Sequence, residues 1–149
     1  MLKKVLKNER GLTLVELLAV IVILGIVAAI AVPTIGSVIQ KSRENAVKAD
    51  AIQVLNAAKT YVAENGAPAD TTNEAGETVE TEITKSQLEE YVDNAKLGES
   101  YSVSVSGDGK TFELNTGKIQ VGKITIQFTD ATIADINADK EYGKPRTIQ

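Results

Sequence analysis

The chain has 149 residues, a formal net charge of −4 and no Cys, His or Trp. That length holds one modest domain, and the missing Cys and His exclude disulfides, thiolate chemistry, Cys-bound metals and the commonest general base. Four of the 16 basic residues (Lys3, Lys4, Lys7, Arg10) fall in the first ten positions, and the remaining residues hold 12 bases against 19 acids, an acidic body unsuited to wrapping nucleic acid through its phosphates.

From Leu17 to Gln40 there is no charged side chain, and up to Val32 nearly every residue is apolar. At ~1.5 Å per residue a helix over this stretch reaches about 36 Å, enough to cross a ~30 Å hydrocarbon core. The basic start keeps the N-terminus cytoplasmic by the positive-inside rule. A secretory signal peptide ending at Ala29-Ile30-Ala31, a plain membrane anchor and a buried core helix are the ordinary readings. Glu16 fits none of them well, because a carboxylate just inside a hydrocarbon span costs a few kcal/mol on insertion scales unless paired or protonated. A cut after Gly11 supplies a partner. The new α-amino group of Leu12 then stands one helical turn from Glu16, on the same face. The two groups can neutralise each other within one chain, or between chains offset along a filament.

Gly11 followed by "LTLVELLAVIVILGIVAAIAVP" resembles the class III leader of type IV prepilins and pseudopilins over about residues 8–40. The family pattern places its cleavage Gly, first mature residue, Glu and Pro at Gly11, Leu12, Glu16 and Pro33. Leu12 departs conservatively from the usual Phe. The resemblance implies a leader over 1–11, a transmembrane and filament-core helix over 12–40 and an extracellular head over 41–149. It implies a prepilin peptidase that cuts after Gly11 and N-methylates Leu12. It implies a single-pass precursor in the cytoplasmic membrane, then extraction by an assembly ATPase and its platform protein into a surface filament of many copies with minor pilins. It implies that Thr13 and Glu16 are the assembly residues. Gly25, Pro33 and Gly36 are points of helix weakness, where a stretch from Gly25 to Pro33 melts on assembly or the helix merely kinks.

Beyond Pro33 the pattern turns amphipathic. Ile35, Val38, Ile39, Ser42, Ala46, Ala49, Ile52, Leu55, Ala58 and Val62 recur at three- and four-residue steps, with Lys41, Arg43, Glu44, Lys48, Asp50 and Lys59 on the other faces. Asn65-Gly66 and Pro68 end this helix, which therefore runs from about Leu12 to Glu64, bent near Pro33. Residues 67–85 read as an acidic loop. Thr84-x-x-Gln87 opens a short helix with Leu88, Tyr91 and Val92 turned inward. Residues 101–106 alternate as a strand with Tyr101, Val103 and Val105 on one face. A turn at 107–110 leads to strands at 111–116 and 123–129, with a short extension at 118–121. The fold class is α+β: a long helix packed on a small antiparallel sheet, in agreement with the pilin fold.

Asp135, Asn137, Asp139 and Glu141 alternate like the start of a calcium loop, but Lys140 and Arg146 stand where an EF-hand needs Gly and Glu. Calcium is the one candidate cofactor, because some major pseudopilins of type II secretion bind it in a C-terminal loop; a polar tail is the plainer reading. No nucleophile–base pair or phosphate loop can be assembled, so an enzyme is not expected. The favoured reading is a major type IV pilin serving adhesion, twitching motility or DNA uptake. A pseudopilin of a secretion or competence system and a non-polymerising anchored or secreted binding module are the alternatives.

Overall fold

The computed structural model describes residues 9–68, 71–72, 78–79 and 82–149, with side chains over 13–68 and 82–149. The chain divides at Ile39/Gln40 into two units. Helix α1 (Glu9–Asn65) contributes to both and continues unbroken past Pro33. Its first unit buries almost nothing: every leucine, isoleucine and valine from Leu14 to Ile39 is exposed. By length and composition the helix can cross a membrane.

The second unit is α+β. After α1 come β1 (Thr71–Thr72) and β2 (Thr78–Val79), an antiparallel pair. Next are β3 (Glu82–Thr84), α2 (Lys85–Leu88), β4 (Tyr101–Val105) and β5 (Phe112–Thr116). The chain closes with β6 (Ile119–Val121), β7 (Ile124–Phe128), α3 (Ile133–Ala138) and β8 (Arg146–Ile148). One sheet has the order β3-β4-β5, the other β6-β7-β8. A bridge between Leu114 and Ala131 joins β5 to the segment following β7.

Local chemistry explains the boundaries. Asn65-Gly66 stops α1 as expected: Gly66 takes φ +86° and its N–H donates to the Val62 carbonyl at 2.8 Å. The Thr84 N–H donates to Gln87 Oε1 at 2.9 Å, the reciprocal half of the expected capping pattern. The turn at 107–110 is held by Asp108, whose Oδ1 accepts from Ser106 Oγ at 2.6 Å and from the Lys110 N–H at 3.1 Å.

The core lies where α1 meets the sheets. Val54, Leu55 and Ala58 of the helix are fully buried, as are Val103, Leu114, Ile126 and Phe128 of the strands. Each fully buried Leu, Ile or Phe contributes roughly 1.5–3 kcal/mol relative to exposure. Tyr101, Val103 and Val105 are all buried, as their alternation predicts, and so are Leu88 and Val92.

Five features differ from the sequence reading. The strands form two three-stranded sheets, and β8 runs parallel to β7, pairing Ile126 with Arg146 and Phe128 with Ile148. The tail read as polar thus contains a helix and a strand, and Ile148 is buried. The short helix opened by Thr84 stops at Leu88, short of Tyr91 and Val92, and Asn94 adopts φ +56°. The acidic loop carries β1, β2 and β3, while 69–70, 73–77 and 80–81 lie outside the described residues. Finally, Glu44 and Lys48, read as outward, are buried, whereas Ala46 and Ala49 are exposed.

Candidate processing and assembly segment

Helical backbone at Glu9 places Gly11 and Leu12 inside α1, with Leu12 and Glu16 one turn apart. The side chain of Leu12, and residues 1–8 of the leader, lie outside the described residues. Glu16 is exposed, and it is the one acid between Thr13 and Gln40. Around it the helix presents Leu14, Val15, Leu17 and Leu18, all more than half exposed. Such a surface is stable only in hydrocarbon or against other apolar helices.

The polar side chains further along do not spoil that surface. Thr34 Oγ1 donates to the Ile30 carbonyl at 2.9 Å, and Ser37 Oγ to the Thr34 carbonyl at 2.8 Å. Backbone carbonyls satisfy both hydroxyls within the segment, as a low-dielectric surround demands. A Cβ at Gly25 or Gly36 would meet nothing within 4 Å, so nothing else in the chain itself requires glycine at either position.

The second unit holds a buried charge cluster that sequence reasoning missed. Glu44, fully buried, accepts from Gln40 Nε2 at 3.0 Å, the Gly143 N–H at 2.9 Å and Arg146 Nη1 at 2.8 Å. Arg146 also grips Asp139 with Nε at 3.0 Å and Nη2 at 2.8 Å. Lys48 pairs with the Asp139 carboxylate and donates to its carbonyl at 2.8 Å. Two cations face two anions, each with a side chain at most 10% exposed. Burial alone would raise the Glu44 carboxyl; hydrogen bonds from Gln40, Arg146 and Gly143 outweigh it and hold Glu44 below the usual range. Asp139 is lowered in the same way, with Arg146 and Lys48 overcoming burial. The only sequence signal was the i, i+4 spacing of Glu44 and Lys48, which fits a solvated helix pair equally well.

Two of the candidate calcium residues, Asp135 and Asp139, are engaged by neighbours within the fold. Asp135 turns back to cap α3, accepting from the Thr132 N–H at 3.0 Å, and Asp139 is held by Arg146 and Lys48. The Glu141 N–H donates to Asp139 Oδ1 at 3.2 Å. Among the described residues no three carboxylates are placed to hold a metal ion.

Comparison with known families adds one finding. Residues 6–32 match the prokaryotic N-terminal methylation motif. The chain therefore carries the class III signal peptide of type IV pilin-like proteins, and the matched segment covers Gly11, Leu12, Glu16 and Gly25. The motif implies processing by a prepilin peptidase and polymerisation with pilin-family partners. Together with the apolar helix it fits membrane anchoring. No curated protein and no solved structure matches the chain.

Proposed function

We propose that the protein is the major structural subunit of a type IV pilus. A peptidase cuts after Gly11 and methylates Leu12, and the mature chain leaves the membrane for a surface filament of like copies. The observation that supports this most directly is the exposed apolar helix carrying one carboxylate inside a matched methylation motif.

The physical logic is a change of solvent for one surface. In the membrane the helix faces lipid; in the fibre it faces equivalent helices, so it never meets water. Glu16 makes the transfer specific. It pairs with the Leu12 amine of its own or a neighbouring chain, and an unpaired carboxylate there disfavours wrong registers. Thr13 stands beside this pair. Gly25 and Gly36, unneeded by the chain itself, let a neighbouring helix approach closely or let the helix loosen around Pro33. In this reading the role of the head is structural, in adhesion, motility or DNA uptake.

The test is electron microscopy and yield of material sheared from cells making the wild type or Glu16→Ala. Abundant long fibres of the wild type, lost or strongly reduced in the variant, support the reading. Short stubs in the wild type point to a pseudopilin. Equal fibre yield in the variant removes Glu16 as the register.

A further inference from the structure

The last uncharged position of the apolar run is Gln40, and the fold gathers cations around it. Lys41 and Arg43 follow directly on α1, within about 5 Å along the helix axis at ~1.5 Å per residue. The hairpin between β6 and β7 is tied to the same place: Gln40 Nε2 donates to the Val121 carbonyl at 2.8 Å, and the Lys123 N–H to Gln40 Oε1 at 3.4 Å. A Cβ built on Gly122 would lie 3.2 Å from Arg43 Nη1, so the guanidinium reaches that hairpin. The loop before β8 arrives through the Gly143 N–H, bonded to Glu44, which sets Lys144 alongside.

Lys41, Arg43, Lys123 and Lys144 are exposed, and among the described residues none of them is ion-paired. The nearby carboxylates Glu44 and Asp139 are buried and already matched by Arg146 and Lys48. Glu141 is the exposed acid of this loop. Tyr142 completes the set: its ring lies 4.6 Å from Lys41 Nζ and its hydroxyl donates to Asn45 Oδ1 at 3.0 Å. The body as a whole is acidic, so four cations without an ion-pair partner near Gln40 run against its composition.

We propose that this rim binds the anionic phospholipid headgroups of the membrane that holds the precursor. Lysine, arginine and tyrosine just outside an apolar span suit the interface, where long side chains reach phosphates and an amphipathic ring sits at headgroup depth. The contact steadies the head at the membrane surface before assembly and is given up on extraction. Anionic lipid is favoured over the acidic surface of another copy because chain connectivity alone brings Lys41 and Arg43 to the end of the span. The proposal rests on the membrane-spanning part of the functional reading and not on filament formation.

The test uses the full chain with Tyr142→Trp, which becomes its single tryptophan. It is reconstituted into phosphatidylcholine vesicles with or without phosphatidylglycerol, each carrying a headgroup-level spin-labelled quencher. The proposal expects roughly twofold stronger quenching with the anionic lipid. It also expects that excess to vanish near 1 M salt, where the Debye length is ~3 Å, and in the combined Lys41→Gln, Arg43→Gln, Lys123→Gln, Lys144→Gln variant. Equal quenching in both lipids overturns it. So does a signal that follows protein density rather than lipid charge, which would assign the rim to another copy. Flotation with neutral vesicles checks the span independently: failure to float removes the membrane reading and the proposal together. The lipid comparison needs none of the four charge substitutions, so a poorly folded quadruple variant cannot mask the result.

Discussion

Arg146 Nη1 lies 2.8 Å from Glu44 Oε2, joining the fourth residue from the C-terminus to helix α1 across 102 positions of sequence. The pair is a closure: it ties the last strand to the helix that carries the apolar segment. Its value depends on completeness. Buried charges cost several kcal/mol each to desolvate, and the geometry repays this only while every partner is present.

Arg146→Ala should therefore be among the most damaging single changes in the head. It leaves Glu44 and Asp139 buried with reduced compensation, a loss of about 3–5 kcal/mol. Urea unfolding of the reconstituted chain measures it. Glu44→Gln should cost less, because Gln still accepts from Gly143. A loss below about 1 kcal/mol for Arg146→Ala would show that the cluster is solvated rather than buried.

The same cluster sets a pH dependence. Glu44 and Asp139 both titrate lower in the folded chain than in the unfolded one, while Arg146 is raised and stays charged. Depressed carboxylates stabilise the fold fully above their unfolded values near ~4, and that contribution is lost as pH falls through the folded values below them. Denaturation midpoints should thus be flat from about pH 7 to 5 and drop below about pH 4. Wild-type and Glu44→Gln curves should converge at low pH; parallel curves would refute the assignment.

Gly122 tests how the hairpin meets the helix. It takes φ +63°, and a Cβ there would fall only 2.3 Å from Gln40 Oε1. Gly122→Ala should destabilise by about 1–3 kcal/mol through strain and displacement of the Gln40 side chain. Gln40→Ala made together with it should recover part of the loss, since the clash is then gone. No recovery in thermal melts would place the whole effect in the backbone.

The processing site gives a sharper prediction. Gly11→Glu should block maturation, leaving a full-length precursor in the membrane, while Gly11→Ala should slow it at most. Gel mobility of whole-cell samples reads both. A wild-type shift in the Gly11→Glu chain would move the cut elsewhere.

What the sequence made legible follows from the kind of signal each element carries. The apolar run from Leu17, the stop at Asn65-Gly66 and the alternation at Tyr101–Val105 are local patterns, and each appears in the fold. The phase of the helix beyond Gln40 was not legible. Glu44 and Lys48 look solvated until residues about ninety to one hundred positions away supply Arg146 and Asp139. Strand β8 was hidden likewise, because Arg146-Thr147-Ile148 is too short and polar to announce a parallel pairing with β7. The Glu16 reading differs in kind: its partner, the Leu12 amine, exists only after cleavage, so neither the pattern nor the fold of the precursor displays it.

The central claim is that this chain is matured after Gly11 and built into a fibre. Intact mass and N-terminal sequencing of protein sheared from the cell surface test it most directly. The account predicts a chain beginning at Leu12 and carrying one added methyl group. A chain beginning at Val32, or one beginning at Met1 and confined to the membrane, would contradict it and leave a secreted or anchored module in place of a pilus subunit.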